Sequence, residues 1–422
     1  MLIDSLSVEP PTIDKSILQA VKSTCLLRLK ADLKQPIGQR RLTFEEALGG
    51  IPGILSSLKV NTSAGYPLCK LAQAKGKKTF FRFDTTGNLE YEPFFKDLVE
   101  DYLTKLENEV FNERRFLAFL KDELVTPEKI KQKRTRIIYC GDLISNVAYR
   151  MLFGHLLVSF NSSYMTTASA VGLNQYSYDL QLMYDYLVEV GKNFVAGDFK
   201  NFDKRTHPDF QEAAYSILME LAGPVTNDLG KDNFVQQQRF SPAQVLDNLV
   251  YFKNTHYSGC FFTTIANNIV HELYLRYVFS KIAPTHVFDQ HVRMKVCGDD
   301  HVYCFSDEVK DMFTPWKIRD GMESIGQVYT SDIKNEELKD EFREFENITF
   351  LGAHPKIIEG RYCGALKKSS IEETILWTRN KDLTLREECR MAIEMASVWG
   401  KEYYYEFAYK INMALLRERF EP

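Results

Sequence analysis

Two carboxylates stand side by side at Asp299 and Asp300, directly after Gly298. The residues on either side alternate apolar and polar, so 292–305 reads as a β-hairpin with the acid pair at its tip. Adjacent acids in an exposed turn can be turn chemistry alone. They are also what a pair of Mg²⁺ ions requires, since hard cations that clamp the attacking and leaving oxygens of a phosphoryl transfer are held by carboxylates. A second acidic element precedes the hairpin in the chain: Asp198 ends a buried-looking strand over 193–199, and Asp203 follows past a turn. If that strand pairs beside the hairpin, Asp198 and Asp299 converge on the same metals.

Between the two acidic elements lies Ser258-Gly259-x3-Thr263-x3-Asn267, a Ser-Gly turn that opens into an apolar helix. These polar groups suit a helix cap with two satisfied helix polars. They equally suit hydroxyl and amide contacts to a ribose. Basic residues concentrate in two places, at Lys70, Lys75, Lys77, Lys78 and Arg82, and at Lys121, Lys129, Lys131, Lys133, Arg134 and Arg136. On a chain of net charge −4, two such segments suit a local polyanion channel better than a generally basic binder.

The elements that must carry these groups come from 422 residues, 45% hydrophobic and 13% aromatic, which is enough for a large core and against disorder. Helical periodicity marks 143–160, 178–190, 264–281, 383–396 and 403–419. Strand-like runs are 193–199, 291–297, 301–305 and 348–352. Mixed strands followed by a helical end give an α+β class. The eight cysteines are scattered without a Cys-x-x-Cys pair, so they read as reduced thiols and not as a zinc site or a disulfide framework. No run of ~20 apolar residues is apparent, and the first residues lack a signal-peptide pattern. A chain without its own membrane anchor is expected.

Taken in order, Asp198-x4-Asp203, the Ser258-to-Asn267 element and Gly298-Asp299-Asp300 resemble the RNA-dependent RNA polymerases of picorna-like positive-strand RNA viruses. Lys121-Asp122-Glu123-Leu124 with Lys129, Arg134 and Arg136 resembles the family's basic nucleotide-tunnel segment. Thr62-Ser63-Ala64-Gly65-Tyr66-Pro67 is similar to its template loop, Asn347 to Leu351 to its primer grip, and Ile375-Leu376-Trp377-Thr378 to the start of its thumb.

The resemblance implies a right-hand fold: fingers over 1–190 with part of the palm near 140–190, palm over 191–359 with a fingers insertion near 226–252, and thumb over 360–422. It implies that Asp198, Asp299 and Asp300 hold Mg²⁺, with Mn²⁺ as a substitute. Asp203, Ser258, Thr263 and Asn267 would read the ribose 2′-hydroxyl, the group that separates RNA from DNA precursors. Lys121, Lys129, Arg134 and Arg136 would grip the triphosphate, Lys334 would protonate the leaving pyrophosphate, and Ser63, Gly65, Tyr66 and Pro67 would meet the template.

Implied partners are an RNA template and primer, nucleoside triphosphates, a small protein primer, and a viral protease with other replication proteins, the chain being released from a polyprotein. The implied place is the host cytoplasm, at membrane-associated replication complexes reached through partners. Two departures stand out. Cys297 replaces the family's usual Tyr before Gly-Asp-Asp, and Gly352-Ala353 replaces basic residues after the primer grip. A reverse transcriptase, a two-metal nuclease and a non-catalytic RNA scaffold are the competing classes. The ribose-type element argues against the first two, and three retained acids argue against the third.

Overall fold

The computed structural model describes residues 9–71, 76–110, 114–123, 125–252, 255–333, 336–376 and 383–417. The chain folds into two compact units that share it in alternation. One takes Met1–Ser163, Asn201–Tyr277 and Met322–Val328; the other takes Tyr164–Lys200, Val278–Gly321 and Tyr329–Pro422.

The first unit is organised on the helix Leu143–Ser162, which begins where the Asp142 carboxylate accepts the backbone N–H of Ser145. By length and composition this helix could cross a bilayer, contrary to the expectation from the sequence. Yet 83% of its apolar window is buried inside the protein, as in a core helix that is apolar all round. A four-stranded sheet in the same unit runs in the order Ile137–Cys140, Phe116–Leu120, Ala243–Val245, Asn248–Val250. Its last two strands and the helix Asp228–Phe240 are what the 226–252 segment becomes. Helix Pro208–Ala222 starts with its proline at the first turn, where no N–H is needed. The Ser258 turn leads into the long helix Thr263–Ile282.

The second unit is built on an antiparallel sheet in the order Tyr329–Ser331, Asn193–Phe199, Asp300–Phe305, Val292–Cys297. Side chains alternate between faces along a strand. Phe194, Ala196, Val302 and Cys304 accordingly bury together against Leu180, Met183 and Leu187 of the helix Asp179–Leu187 and against Phe345, Ile348 and Phe350. A helical end follows a hairpin of Ala353–Ile358 and Arg361–Leu366. There Cys389, Ala392 and Ala396 of Leu385–Ala396 meet Phe407, Ile411 and Leu415 of Lys401–Arg417. Spacings of three and four residues on the first helix and of four on the second are the apolar stripes that such packing requires. A capping box, Thr384 with Glu387, starts the first of the two.

The expected helices and the strands around both acidic elements are present, to within a turn at their ends. The strand expected over 348–352 is not. Ile348 and Phe350 are buried as an alternating pattern demands, but irregular chain buries them. The backbone turns at Leu351 (φ 51°) and Gly352 (φ 75°), and Thr349 donates its N–H to the Asp332 carboxylate. The strand begins only at Ala353, so the segment expected to form a strand is irregular chain leading through a turn into a hairpin.

Candidate active site

The acidic groups of the second unit are placed by strand register. Asn193–Phe199 is an interior strand, paired with Asp300–Phe305 on one side and with Tyr329–Ser331 on the other. Gly197 faces His301 and Thr330 faces Asp198. One step beyond the Gly197–His301 pair, Asp198 and Asp300 occupy neighbouring strand positions on the same face. Across the hairpin Cys297 faces Asp300. The turn between them is Gly298-Asp299, with Gly298 at φ 71°, the first-position glycine of a II′ hairpin turn. The expected hairpin is therefore real, with Asp299 in the turn and Asp300 opening the strand. Asp299 is exposed, while Asp198 and Asp300 are half-buried. Carboxylate oxygens gathered at one end of a sheet are the hard donors that a divalent cation takes.

Behind this row the sheet is aromatic. The rings of Phe199, His301, Tyr303 and Tyr329 pack on one another. Gly197 has no room for a side chain because a methyl there would enter the Tyr329 ring. His301 has one ring nitrogen 2.9 Å from the Asp299 carbonyl oxygen and the other 2.8 Å from the Tyr329 hydroxyl. Burial, then the charges of Asp332 and Asp198, hold the Tyr329 phenol well above its ordinary pKa. Burial, then Asp300 and Asp299, push the Cys297 thiol up to about 11. Cys297 is thus a neutral strand residue beside the acids.

The first unit gathers the four polar residues of the ribose-type set. Ser258 is exposed, and its hydroxyl oxygen accepts the backbone N–H of Tyr139 at 3.1 Å. Burial and the Asp203 charge lift the Tyr139 phenol to about 12, so Asp203 and Ser258 both bear on this one tyrosine. The Thr263 hydroxyl donates to the Cys260 carbonyl at 2.7 Å, closing the loop on itself. Asn267 is buried, with its side-chain oxygen 2.5 Å from Nδ1 of His256.

Three glycines let backbones meet here. A methyl at Gly259 would strike the Tyr139 carbonyl and the Gly141 nitrogen. One at Gly65 (φ 69°) would strike the Gly141 carbonyl. The loop containing Ser63, Gly65, Tyr66 and Pro67 thereby joins the same junction, where Leu143 donates its N–H to the Ala64 carbonyl. The guanidinium of Arg115 lies 4.5 Å from the centre of the Tyr66 ring.

In the basic segment Lys129, Arg134 and Arg136 are exposed. Arg136 is not an isolated cation: its Nε lies 2.7 and 2.9 Å from the two Glu123 oxygens. Lys121 approaches the same carboxylate at 3.4 Å. Hydrogen bonding from Arg136 holds the Glu123 carboxyl down at about 2, a bidentate pairing that fixes the guanidinium plane. Lys334 and Leu124 lie outside the described residues, as does part of the Ile375-to-Thr378 stretch. Reading the sequence missed His256 and His301. His256 stands two residues before Ser258 and His301 directly after Asp300, but only the fold shows that each bridges a tyrosine hydroxyl to a site residue.

The chain matches the family described as viral RNA-dependent RNA polymerase over residues 35–415. It is 27% identical to the replication polyprotein of Nora virus over 311 residues, 71% of this chain and 15% of that protein. It is 25% identical to the replicase polyprotein of acute bee paralysis virus over 82% of this chain and 19% of the polyprotein. It is also 24% identical to the genome polyprotein of deformed wing virus over 92% and 14%. The chain therefore spans less than a fifth of these relatives. Among solved structures it is similar to a Sicinivirus 3Dpol RNA dependent RNA polymerase, with a TM-score of 0.80 and 22% identity over 100% of this chain and 86% of that one.

Proposed function

The chain belongs to the viral RNA-dependent RNA polymerase family and has the right-hand polymerase fold, and from that premise we propose that it copies an RNA template by adding ribonucleotides to a primer 3′-hydroxyl. The observation that carries the reading is the strand register that sets Asp198 and Asp300 side by side with Asp299 in the adjoining turn. In the reaction the 3′-hydroxyl oxygen bonds to the α-phosphorus and loses its proton. The bond from that phosphorus to the β-phosphate bridge breaks, and pyrophosphate leaves.

The family works with divalent cations, and in this reading Asp198, Asp299 and Asp300, set by strand register at one end of the sheet, would hold Mg²⁺, or Mn²⁺ in its place. When bound, such ions supply charge neutralisation and an activated primer oxygen. The protein's own groups do the rest. Lys121, Lys129, Arg134 and Arg136 hold the triphosphate, with Arg136 already oriented by Glu123. Asp203, Ser258 and Asn267 read the sugar, and Thr263 keeps their loop closed. Lys334 delivers a proton to the departing pyrophosphate. Ser63, Gly65, Tyr66 and Pro67 guide the template from a loop braced on the Gly141 junction.

The same reading assigns fingers to 1–190 with part of the palm near 140–190, palm to 191–359 with a fingers insertion near 226–252, and thumb to 360–422. The polyprotein relatives support release of the chain from a longer precursor. The proposal adds a viral protease for that release, a small protein primer, and work at cytoplasmic membrane-associated replication complexes through other replication proteins.

The test is extension of a labelled RNA primer–template with Mg²⁺ by the parent chain and by Asp299→Asn. Ribonucleotide extension by the parent alone supports the reading. A folded parent that binds RNA without extending it, with Mn²⁺ and a protein primer also supplied, would favour a scaffold.

A further inference from the structure

Among the residues that the proposed reaction leaves without a role, His256 is the most heavily committed. It is fully buried, and it makes three connections inside one unit. Its backbone N–H donates to the Asp203 carbonyl at 2.9 Å. Its Nδ1 lies 2.5 Å from the Asn267 side-chain oxygen, and its Nε2 lies 3.0 Å from the Tyr215 hydroxyl. An amide oxygen only accepts, so Nδ1 carries the hydrogen. Nε2 of the neutral ring then accepts from Tyr215.

We infer that His256 is a positioning residue for sugar selection, holding the Asn267 amide so that its NH₂ group, and not its oxygen, meets the ribose 2′-hydroxyl. The inference rests on the polymerase reading and adds to it a cause for the orientation of Asn267. An unrestrained asparagine can rotate about its last bond and present either a donor or an acceptor. With the oxygen engaged by Nδ1, only the donor remains to be offered. A 2′-hydroxyl satisfies it through its oxygen, whereas a deoxyribose leaves a buried N–H without a partner, which is a steep basis for rejection.

Burial holds the imidazole down at about 4, so near neutrality it is uncharged and the hydrogen-bond directions stay fixed. Tyr215 acts one step further out. Burial keeps its phenol protonated, and its O–H locks the imidazole tautomer from behind. Because the link to Asp203 uses the backbone of His256, side-chain substitutions leave that contact available and interrogate only the arms to Asn267 and Tyr215.

The experiment measures kcat/KM for ATP and dATP opposite the same template base, in the full chain with an RNA primer–template. Parent, His256→Leu, His256→Asn and Tyr215→Phe are compared. His256→Leu is expected to lower the ATP/dATP ratio by about tenfold or more, chiefly through ATP. His256→Asn, whose side-chain nitrogen replaces the Nδ1 donor, should recover most of the ratio. Tyr215→Phe should lower it by a smaller factor in the same direction.

Equal losses with both nucleotides, or an unchanged ratio, would overturn the inference. If His256→Leu does not fold, an unchanged ratio in Tyr215→Phe overturns it just as well. A parent that extends nothing fails the polymerase reading itself, which is a different result from a working parent whose variants keep the ratio.

Discussion

Nδ1 of His301 lies 2.9 Å from the main-chain oxygen of Asp299, and its other ring nitrogen lies 2.8 Å from the Tyr329 hydroxyl. The tip of the acidic hairpin is thus tied across the sheet to an outer strand by one buried imidazole. His301→Phe keeps the ring volume among Phe199, Tyr303 and Tyr329 but strands both oxygens. It should cost about 1–3 kcal/mol of stability, the usual penalty for buried groups left unpaired, read from the urea midpoint. Single-turnover addition should slow more than nucleotide binding weakens, because Asp299 loses its anchor while the basic segment is untouched.

Asp299 itself is exposed, so Asp299→Asn should leave the urea midpoint within about 0.5 kcal/mol of the parent. Nucleotide addition should fall by roughly 10²–10³-fold or more, the scale of losing one preorganised charge at a reacting phosphate. RNA affinity, measured by fluorescence anisotropy, should hardly change. Full activity in this variant would remove Asp299 from the metal site.

Cys297 faces Asp300 on the last rung of the hairpin, and its thiol is raised from an ordinary 9.0 to about 11, first by burial and then by Asp300 and Asp299. The thiolate is therefore scarce at pH 8, and alkylation by iodoacetamide should be slow, as followed residue by residue with mass spectrometry. The sign of the linkage follows from the raised value. The stabilisation is complete below pH 9 and is lost as pH rises through about 11. Cys297→Ser should remove that alkaline loss and leave the pH dependence of addition near neutrality unchanged.

The hairpin, the long helices and the interior strand could be read from the sequence because each is a local pattern that the core then rewards. Asn193–Phe199 is predicted to the residue, since its buried run ends where an acid begins. The 348–352 segment failed for a physical reason. Ile348 and Phe350 sit at strand spacing and are buried, but alternating burial does not supply a partner strand, and a turn at Leu351-Gly352 intervenes. In the helix Leu143–Ser162, Gly154, His155 and Ser159 break the apolar run in the sequence, yet all three are buried in the fold. The roles of His256 and His301 depend on tyrosines distant in the chain, Tyr215 and Tyr329, and no spacing rule reaches that far. The pairing of Arg136 with Glu123 was hidden in another way: both charges were visible, but the turn that brings them together was not.

Gly259 shows how the Ser258 turn depends on backbone contact. Its φ is negative, so any residue could adopt the conformation, and the constraint is space. A methyl there would meet the Tyr139 carbonyl and the Gly141 nitrogen, backbone atoms that cannot swing aside. The same strand residue, Tyr139, donates its N–H to the Ser258 hydroxyl, so pushing the two backbones apart stretches that hydrogen bond directly. Gly259→Ala should therefore cost about 1–3 kcal/mol, as overpacking does, and should also raise the KM for ribonucleotides by displacing Ser258. Ser258→Ala in the same background separates the two effects. If displacement of Ser258 is the cause, adding Ser258→Ala to Gly259→Ala should raise KM little further while the stability loss persists. Independent, multiplying losses in KM would show that Gly259 acts through stability alone.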